Sequence, residues 1–149
     1  MQKREALKKR TTFETDIEIY ILLDGKRQIE LDLPIPFFPH LLKSMAFYAD
    51  WDLNIKARGD VEVDFHHLVE DIGIVLGEAF RTALGETKNI QRYSTQFIAM
   101  DEALSMVSID VGGRSFLNYD VSIGSQKVGD FEADLIEEFL RAFTNHAHI

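Results

Sequence analysis

His66, His67 and Glu70 are the residues of this sequence best spaced to do chemistry. On a helix, positions 66 and 70 are four apart and 67 and 70 three apart, so the one carboxylate can approach the side of either imidazole. Neutral imidazole with carboxylate suits manganese, iron, zinc or nickel, and a donor set free of thiolate leans toward the harder of these. The chain contains no cysteine, which excludes disulfides, thiolate zinc sites and thiol nucleophiles. Asp71, beside Glu70, is placed to orient an imidazole from behind. Gly73 and Gly77 continue the face of His66 and Glu70 without side-chain bulk, leaving room for another backbone or a ligand. The spacing also fits two surface histidines paired with a nearby glutamate. A di-iron bundle fits less well, because its motif runs Glu-x-x-His on helices that are not interleaved with strands. His40, in Phe-Phe-Pro-His-Leu-Leu, reads by itself as a capping or surface residue rather than a ligand.

The elements that must position these groups follow from periodicity. Phe13, Thr15, Ile17, Ile19 and Ile21 alternate with polar residues, which predicts a strand over 12–23. Asp24-Gly25 reads as a hairpin turn into a second strand over 28–33, stopped by Pro34 and Pro36. Helical spacing of Phe38, Leu41, Leu42, Met45 and Ala46 predicts a helix over 37–48, and a third strand follows from Trp51 to Arg58. The histidine motif then opens a long helix from about Asp64 to Leu84, with Gly85 as its stop. Its apolar stripe runs through Phe65, Leu68, Val69, Ile72, Leu76, Ala79, Phe80 and Ala83.

The order strand, strand, helix, strand, helix then starts again, which signals an internal repeat. Glu14 lies ten residues before Asp24-Gly25, and Glu102 ten before Gly112-Gly113. In the new unit Phe116 to Ile123 is expected as the second strand, Gly129-Asp130 as punctuation and Leu135 to Phe143 as the first helix. The expected architecture is therefore α+β, built of duplicated ββαβα units that each lay helices on one face of a sheet. The parts are a basic leader over 1–11, a first unit over 12–85 and a partial second unit over 86–149, together one globular domain. The second unit lacks its last strand and long helix, so half a sheet layer is expected to want cover from elsewhere.

With 16 basic and 25 acidic residues the net charge is -9, which disfavours broad contact with nucleic acid or an anionic membrane. A phosphate ligand would need a local cation cluster. Lys3 to Arg10 is a candidate, although a solvated leader is the favoured reading of that stretch. No run of 18 apolar residues and no secretory signal pattern is present, so a cytoplasmic protein is expected.

The run from Gly59 to Gly77, Gly-Asp-Val-Glu-Val-Asp-Phe-His-His-Leu-Val-Glu-Asp-Ile-Gly-Ile-Val-Leu-Gly, resembles the central signature of the imidazoleglycerol-phosphate dehydratases. The likeness continues in order through Glu14-Thr15, Leu23-Asp24-Gly25, Ile35-Pro36-Phe37-Phe38 with His40, Arg92-Tyr93, Met100-Asp101-Glu102 and Gly113-Arg114, and so spans nearly the whole chain. It departs at Pro39, Leu41, Tyr48 and Ser94. The resemblance implies a lyase of histidine biosynthesis that dehydrates imidazole glycerol phosphate to imidazole acetol phosphate. No carbonyl acidifies the proton removed. In the family, two manganese ions hold the substrate's own imidazole as imidazolate, so that hydroxide leaves through a diazafulvene-like intermediate.

Carried over by position, the resemblance makes His40, His66, His67 and Glu70 metal ligands, Glu14 a substrate-binding acid or base, and Arg92 and Arg114 substrate-binding residues for the phosphate. It implies homo-oligomers of 24 subunits built from trimers, with active sites between subunits. The family's second His-His-x-x-Glu motif, a further histidine ligand and a lysine at the substrate all fall past Ile149. A chain ending there is expected to hold no complete two-metal site and to turn over little or no substrate, whereas a longer chain keeps the ordinary function. The alternatives are a non-catalytic family member acting in assembly or metal binding, and a different metal-dependent lyase or hydrolase using the same half-site.

Overall fold

Ile17, Ile19 and Ile21 are buried in alternation with half-exposed Glu18 and Tyr20, so this stretch forms a strand with one face in the core. The computed structural model describes residues 3–88 and 90–149. Its elements are β1 (Glu5–Thr11), β2 (Thr15–Leu22), β3 (Ile29–Asp32), α1 (Phe38–Tyr48), β4 (Asp52–Gly59), α2 (His66–Leu84), β5 (Tyr93–Met100), β6 (Ala103–Asp110), β7 (Lys127–Val128), β8 (Phe131–Glu132) and α3 (Leu135–Ala147). The architecture is α+β as expected. No helix among the described residues is long and apolar enough to cross a membrane.

The first four strands form one sheet in the order β1-β2-β4-β3. Two expectations are corrected here. Residues 5–11, read as a solvated leader, are an edge strand paired antiparallel with β2, from Glu5 opposite Leu22 to Thr11 opposite Asp16. Met1 and Gln2 of that stretch lie outside the described residues. Only Ala6 of β1 is buried, so the strand carries no alternation to read. The basic residues of this segment are used locally instead: Arg4, just before the strand, pairs with Asp24, Lys9 with Glu18 and Arg10 with Asp71.

The second correction concerns Asp24-Gly25, which does not join a hairpin. β4 lies between β2 and β3, antiparallel to the first and parallel to the second, because its own buried row of Leu53, Ile55 and Ala57 occupies the centre of the sheet. The Asp52 carboxylate accepts the N–H groups of Lys26 (2.6 Å) and Gln28 (2.9 Å) to hold the crossing loop. A Cβ at Gly25 would stand 2.2 Å from Asp52 N, so the chain passes there only as glycine.

α2 lies across β1, β2 and β4, burying Leu68, Val69, Ile72, Val75, Leu76 and Ala79 against the isoleucines of β2. The helix begins two residues later than expected. Asp64 Oδ1 accepts the His66 N–H at 2.7 Å, and Gly85 closes the helix at φ 62°. α3 packs along α2 on the far side from the sheet. Gly73 and Gly77 make this possible, since added Cβ atoms would lie 2.8 Å from Phe139 O and 2.6 Å from Phe143 O. The space expected for a backbone or a ligand is filled by a backbone.

The second half of the chain opens with a hairpin like that of the first. β5 and β6 form a hairpin turned at Asp101-Glu102, as β1 and β2 turn at Thr12–Glu14, and each glutamate immediately precedes the second strand of its pair. Gly112-Gly113 therefore follows the hairpin instead of forming its turn. Residues 116–123 are not a strand. In the first unit the corresponding strand, β3, pairs only with β4, and no counterpart of β4 is present among the described residues to hold this stretch. It is anchored instead to the end of α3 by Phe116 N–H to Ile149 O (3.1 Å) and Ser115 Oγ to Asn145 O (2.9 Å). Gly129-Asp130 turns between β7 and β8 as expected, and α3 begins at Leu135 as expected but runs on to Ala147. The β5–β6 hairpin exposes Phe97, Leu104 and Met106 on one face and Ile98, Met100, Val107 and Ile109 on the other.

Candidate active site

The first turn of α2 buries Leu68 and Val69 in the core but leaves His67 exposed and His66 half-buried, and it carries the histidine motif. His66 Nε2 stands 3.8 Å from Glu70 Oε2, one helical turn on. Both side chains remain 45% exposed, so this pair is available to a third group. The His67 ring is nearly perpendicular to that of His66 at 6.2 Å, and its Nδ1 donates to Asp60 Oδ2 at 3.0 Å. That bond has Nδ1 carry a proton, so in the neutral ring Nε2 is the nitrogen left to accept or to bind a cation. The Asp60 hydrogen bond and charge hold the His67 pKa above the ordinary imidazole value, with smaller contributions from Glu14 and Asp64. Asp60 Oδ1, by contrast, is buried without a hydrogen-bond partner.

Glu14 lies at the end of the β1–β2 turn. Its carbonyl accepts the Asp60 N–H at 3.1 Å, so the turn sits beside the loop that orients His67. The same turn is tied to α2 by a second route. Thr12 Oγ1 accepts the N–H groups of Glu14 (3.1 Å) and Thr15 (2.9 Å) and lies 3.1 Å from Thr15 Oγ1. Thr15 Oγ1 donates to Asp71 Oδ2 at 2.5 Å, and Arg10 Nε donates to Asp71 Oδ1 at 3.1 Å. Asp71 therefore does not orient an imidazole, as its place in the sequence suggested; Asp60 does so for His67.

The other site residues stand elsewhere. His40, in the first turn of α1, packs its ring 5.9 Å from Phe37. None of the described contacts joins it to His66, His67 or Glu70. Arg92 lies at the base of the β5–β6 hairpin, where Nε and Nη2 grip Asp110 at 2.6 and 3.0 Å and the guanidinium covers the Tyr93 ring at 4.7 Å. Arg114 is exposed, just after Gly113 at φ 80°. Among the described residues no three His, Asp or Glu side chains converge as a metal-holding group. The donors that fit a cation are His66 with Glu70, and His67 through its Nε2. Among the described residues these donors do not converge with a third on one point.

Sequence reasoning missed Asp60, Thr15, Thr12 and Arg10. Asp60 precedes His67 by seven residues across a turn, outside any helical spacing, and Arg10 lay in the supposed leader. Glu14-Thr15 was the one signal that could have led to the threonine.

The fold and site thus define an α+β protein with two imidazoles and a carboxylate in the first turns of its long helix. The family model of the imidazoleglycerol-phosphate dehydratases matches residues 34–149. The imidazoleglycerol-phosphate dehydratase of Alkaliphilus metalliredigens is 52% identical over 140 residues, 94% of this chain and 72% of that protein. That of Clostridium novyi is 48% identical over 149 residues, 100% of this chain and 76% of that protein. The crystal structure of the Staphylococcus aureus enzyme superposes with a TM-score of 0.86 at 35% identity, covering 97% of this chain and 79% of that one. The Pyrococcus furiosus enzyme, solved with (S)-C348, gives 0.79 at 35% identity, covering 94% and 74%. The chain belongs to the imidazoleglycerol-phosphate dehydratase family.

Proposed function

We propose that this chain works as a manganese-dependent imidazoleglycerol-phosphate dehydratase, removing water from imidazole glycerol phosphate to give imidazole acetol phosphate in histidine biosynthesis in the cytoplasm. The observation that supports this best is the first turn of α2, where His66 with Glu70 and the Asp60-held His67 lie beside the turn that carries Glu14. His40, His66, His67 and Glu70 are the proposed metal ligands. Manganese, when bound, would supply Lewis-acid stabilisation of the imidazolate form of the substrate's ring.

The remaining work falls to the chain's own groups. Glu14 is exposed at the site and able to take or return a proton at the substrate's carbon chain. Arg92 and Arg114 would bind the phosphate, for which Arg92 must exchange its Asp110 partner or share it. A homo-oligomer, of 24 subunits built from trimers as the family resemblance implies, would bring together ligands that one chain holds apart and cover the apolar hairpin.

A second reading, a non-catalytic family member that binds metal or assembles, draws on the absence of any three-donor group among the described residues. Metal content and turnover of imidazole glycerol phosphate, measured together with manganese supplied, separate the two. The measurement is made on protein of this length beside one extended by any downstream coding sequence. Turnover in either form supports the dehydratase; bound metal without turnover in both supports the second reading.

A further inference from the structure

We propose that Asp71 is a positioning residue: through Thr15 and Thr12 it fixes the β1–β2 turn, so that Glu14 is held beside the histidine end of α2. The inference rests on the dehydratase reading only for what Glu14 does, not for how it is held. Thr15 is the one polar side chain among the described residues that is buried, at 4% exposure. A buried hydroxyl left without a partner costs about 1–3 kcal/mol, and this one is used at both ends. It donates to Asp71 Oδ2 (2.5 Å), which leaves its lone pairs to the Thr12 hydroxyl (3.1 Å). The Thr12 oxygen in turn accepts both N–H groups that bracket Glu14, while the Thr12 N–H reaches Thr15 O at 2.8 Å and closes the turn.

The chemistry at Asp71 requires a carboxylate. One oxygen accepts from Thr15 and the other from Arg10 Nε; an asparagine turned with its oxygen to Arg10 must donate to Thr15 and leaves the buried Thr15 O–H without its acceptor, and turned the other way it loses the Arg10 bond. Asp71 follows Glu70 directly on α2. The helix that presents His66, His67 and Glu70 therefore also sets the height of the Glu14 turn, and the Glu14 O to Asp60 N bond closes the loop back to His67. Two independent ties to one helix place Glu14 with little freedom, which is what proton transfer to a bound substrate demands.

The test uses Thr15→Val, which keeps the shape and removes the hydroxyl, and Asp71→Asn, with Thr15→Ser as the variant that should retain function. Amide hydrogen exchange is followed by NMR at Glu14, Thr15 and Asp60, with Ile19 and Ile55 in the sheet as reference. The expected result is a rise of about tenfold or more at Glu14 and Asp60 in Thr15→Val and Asp71→Asn, with the reference amides within about threefold and Thr15→Ser close to the parent. On the manganese-supplied protein kcat should fall about tenfold in the same two variants while KM changes less than about threefold. Unchanged exchange at Glu14 and Asp60 would overturn the proposal, and so would an equal rise at every amide, which marks general destabilisation. An inactive parent protein counts against the dehydratase reading, and exchange at Glu14 and Asp60 still decides the clamp.

Discussion

Replacing Gly77 by alanine sets two effects of known sign against each other. In an exposed helix interior the change stabilises by about 1 kcal/mol, since alanine loses less backbone entropy on folding than glycine. Here the added Cβ would stand 2.6 Å from Phe143 O, 2.9 Å from Ala147 N and 2.9 Å from His146 Cβ. These separations are up to roughly 1 Å inside van der Waals contact at about 3.5 Å. Two of the three atoms are α3 backbone, so no rotamer change relieves the clash and α3 must move off α2 along their whole line of contact. Overpacking of this kind costs about 1–3 kcal/mol, and subtracting the propensity gain leaves a net loss on the order of 1 kcal/mol. For a chain of this size that lowers Tm by about 2–4 °C. Gly77→Val, with more bulk and poorer helix propensity, should lower it further. Thermal unfolding followed by circular dichroism at fixed protein concentration reads both. A Tm that rises in Gly77→Ala would show that α3 does not lie against α2 in solution, and the packing of residues 135–147 described above would be wrong.

Three further outcomes are expected. In metal-free protein the His67 imidazole should titrate above 6.5, and Asp60→Asn should bring it back toward that value; NMR of the ring protons checks both, and an unshifted parent His67 would refute the Asp60 contact. Because the folded value is the higher one, the stability from this pair is fully present below the unfolded pKa near 6.5 and is lost as pH rises through the folded pKa. Protons compete with manganese for the same ring, so affinity should fall as pH drops below the folded value. Ile19→Ala, at a fully buried position in the centre of β2, should cost about 2–5 kcal/mol in urea unfolding; a loss below about 1 kcal/mol would mean that the core is not centred there. Amides of β5 and β6 in isolated chains should exchange much faster than those of β2 and β4, because a two-stranded hairpin with both faces exposed has little to hold it. Equal protection would show the hairpin covered.

Much of the first unit was legible because its signals are local. The isoleucines of β2 alternate, α2 keeps an apolar stripe for five turns, and Gly85 stops the helix where its φ requires glycine. The histidine motif was visible for the same reason, since residues three and four apart on a helix need no knowledge of the rest of the fold. What escaped is non-local. β4 slips between β2 and β3 because a sheet centre goes to the strand with the best buried row, and no turn signal encodes that. β1 hid as a basic leader, since an edge strand held by cross-strand ion pairs has no apolar period. The alternation in 116–123 is real in the sequence, yet without a neighbour to accept its hydrogen bonds it makes no strand. The orienting role of Asp60 depends on a turn folding back by seven residues, and the Thr15 clamp depends on β1 being present at all.

The most direct measurement is turnover of imidazole glycerol phosphate, followed as formation of the carbonyl product, in protein of this length and in its downstream-extended form. Each is assayed with manganese, after chelation, and with His67→Ala in place of the parent. Turnover should disappear on chelation, return with manganese and be lost in His67→Ala. Turnover that survives chelation or the loss of His67, or no turnover in either form with manganese present, would contradict the manganese-dependent dehydratase reading.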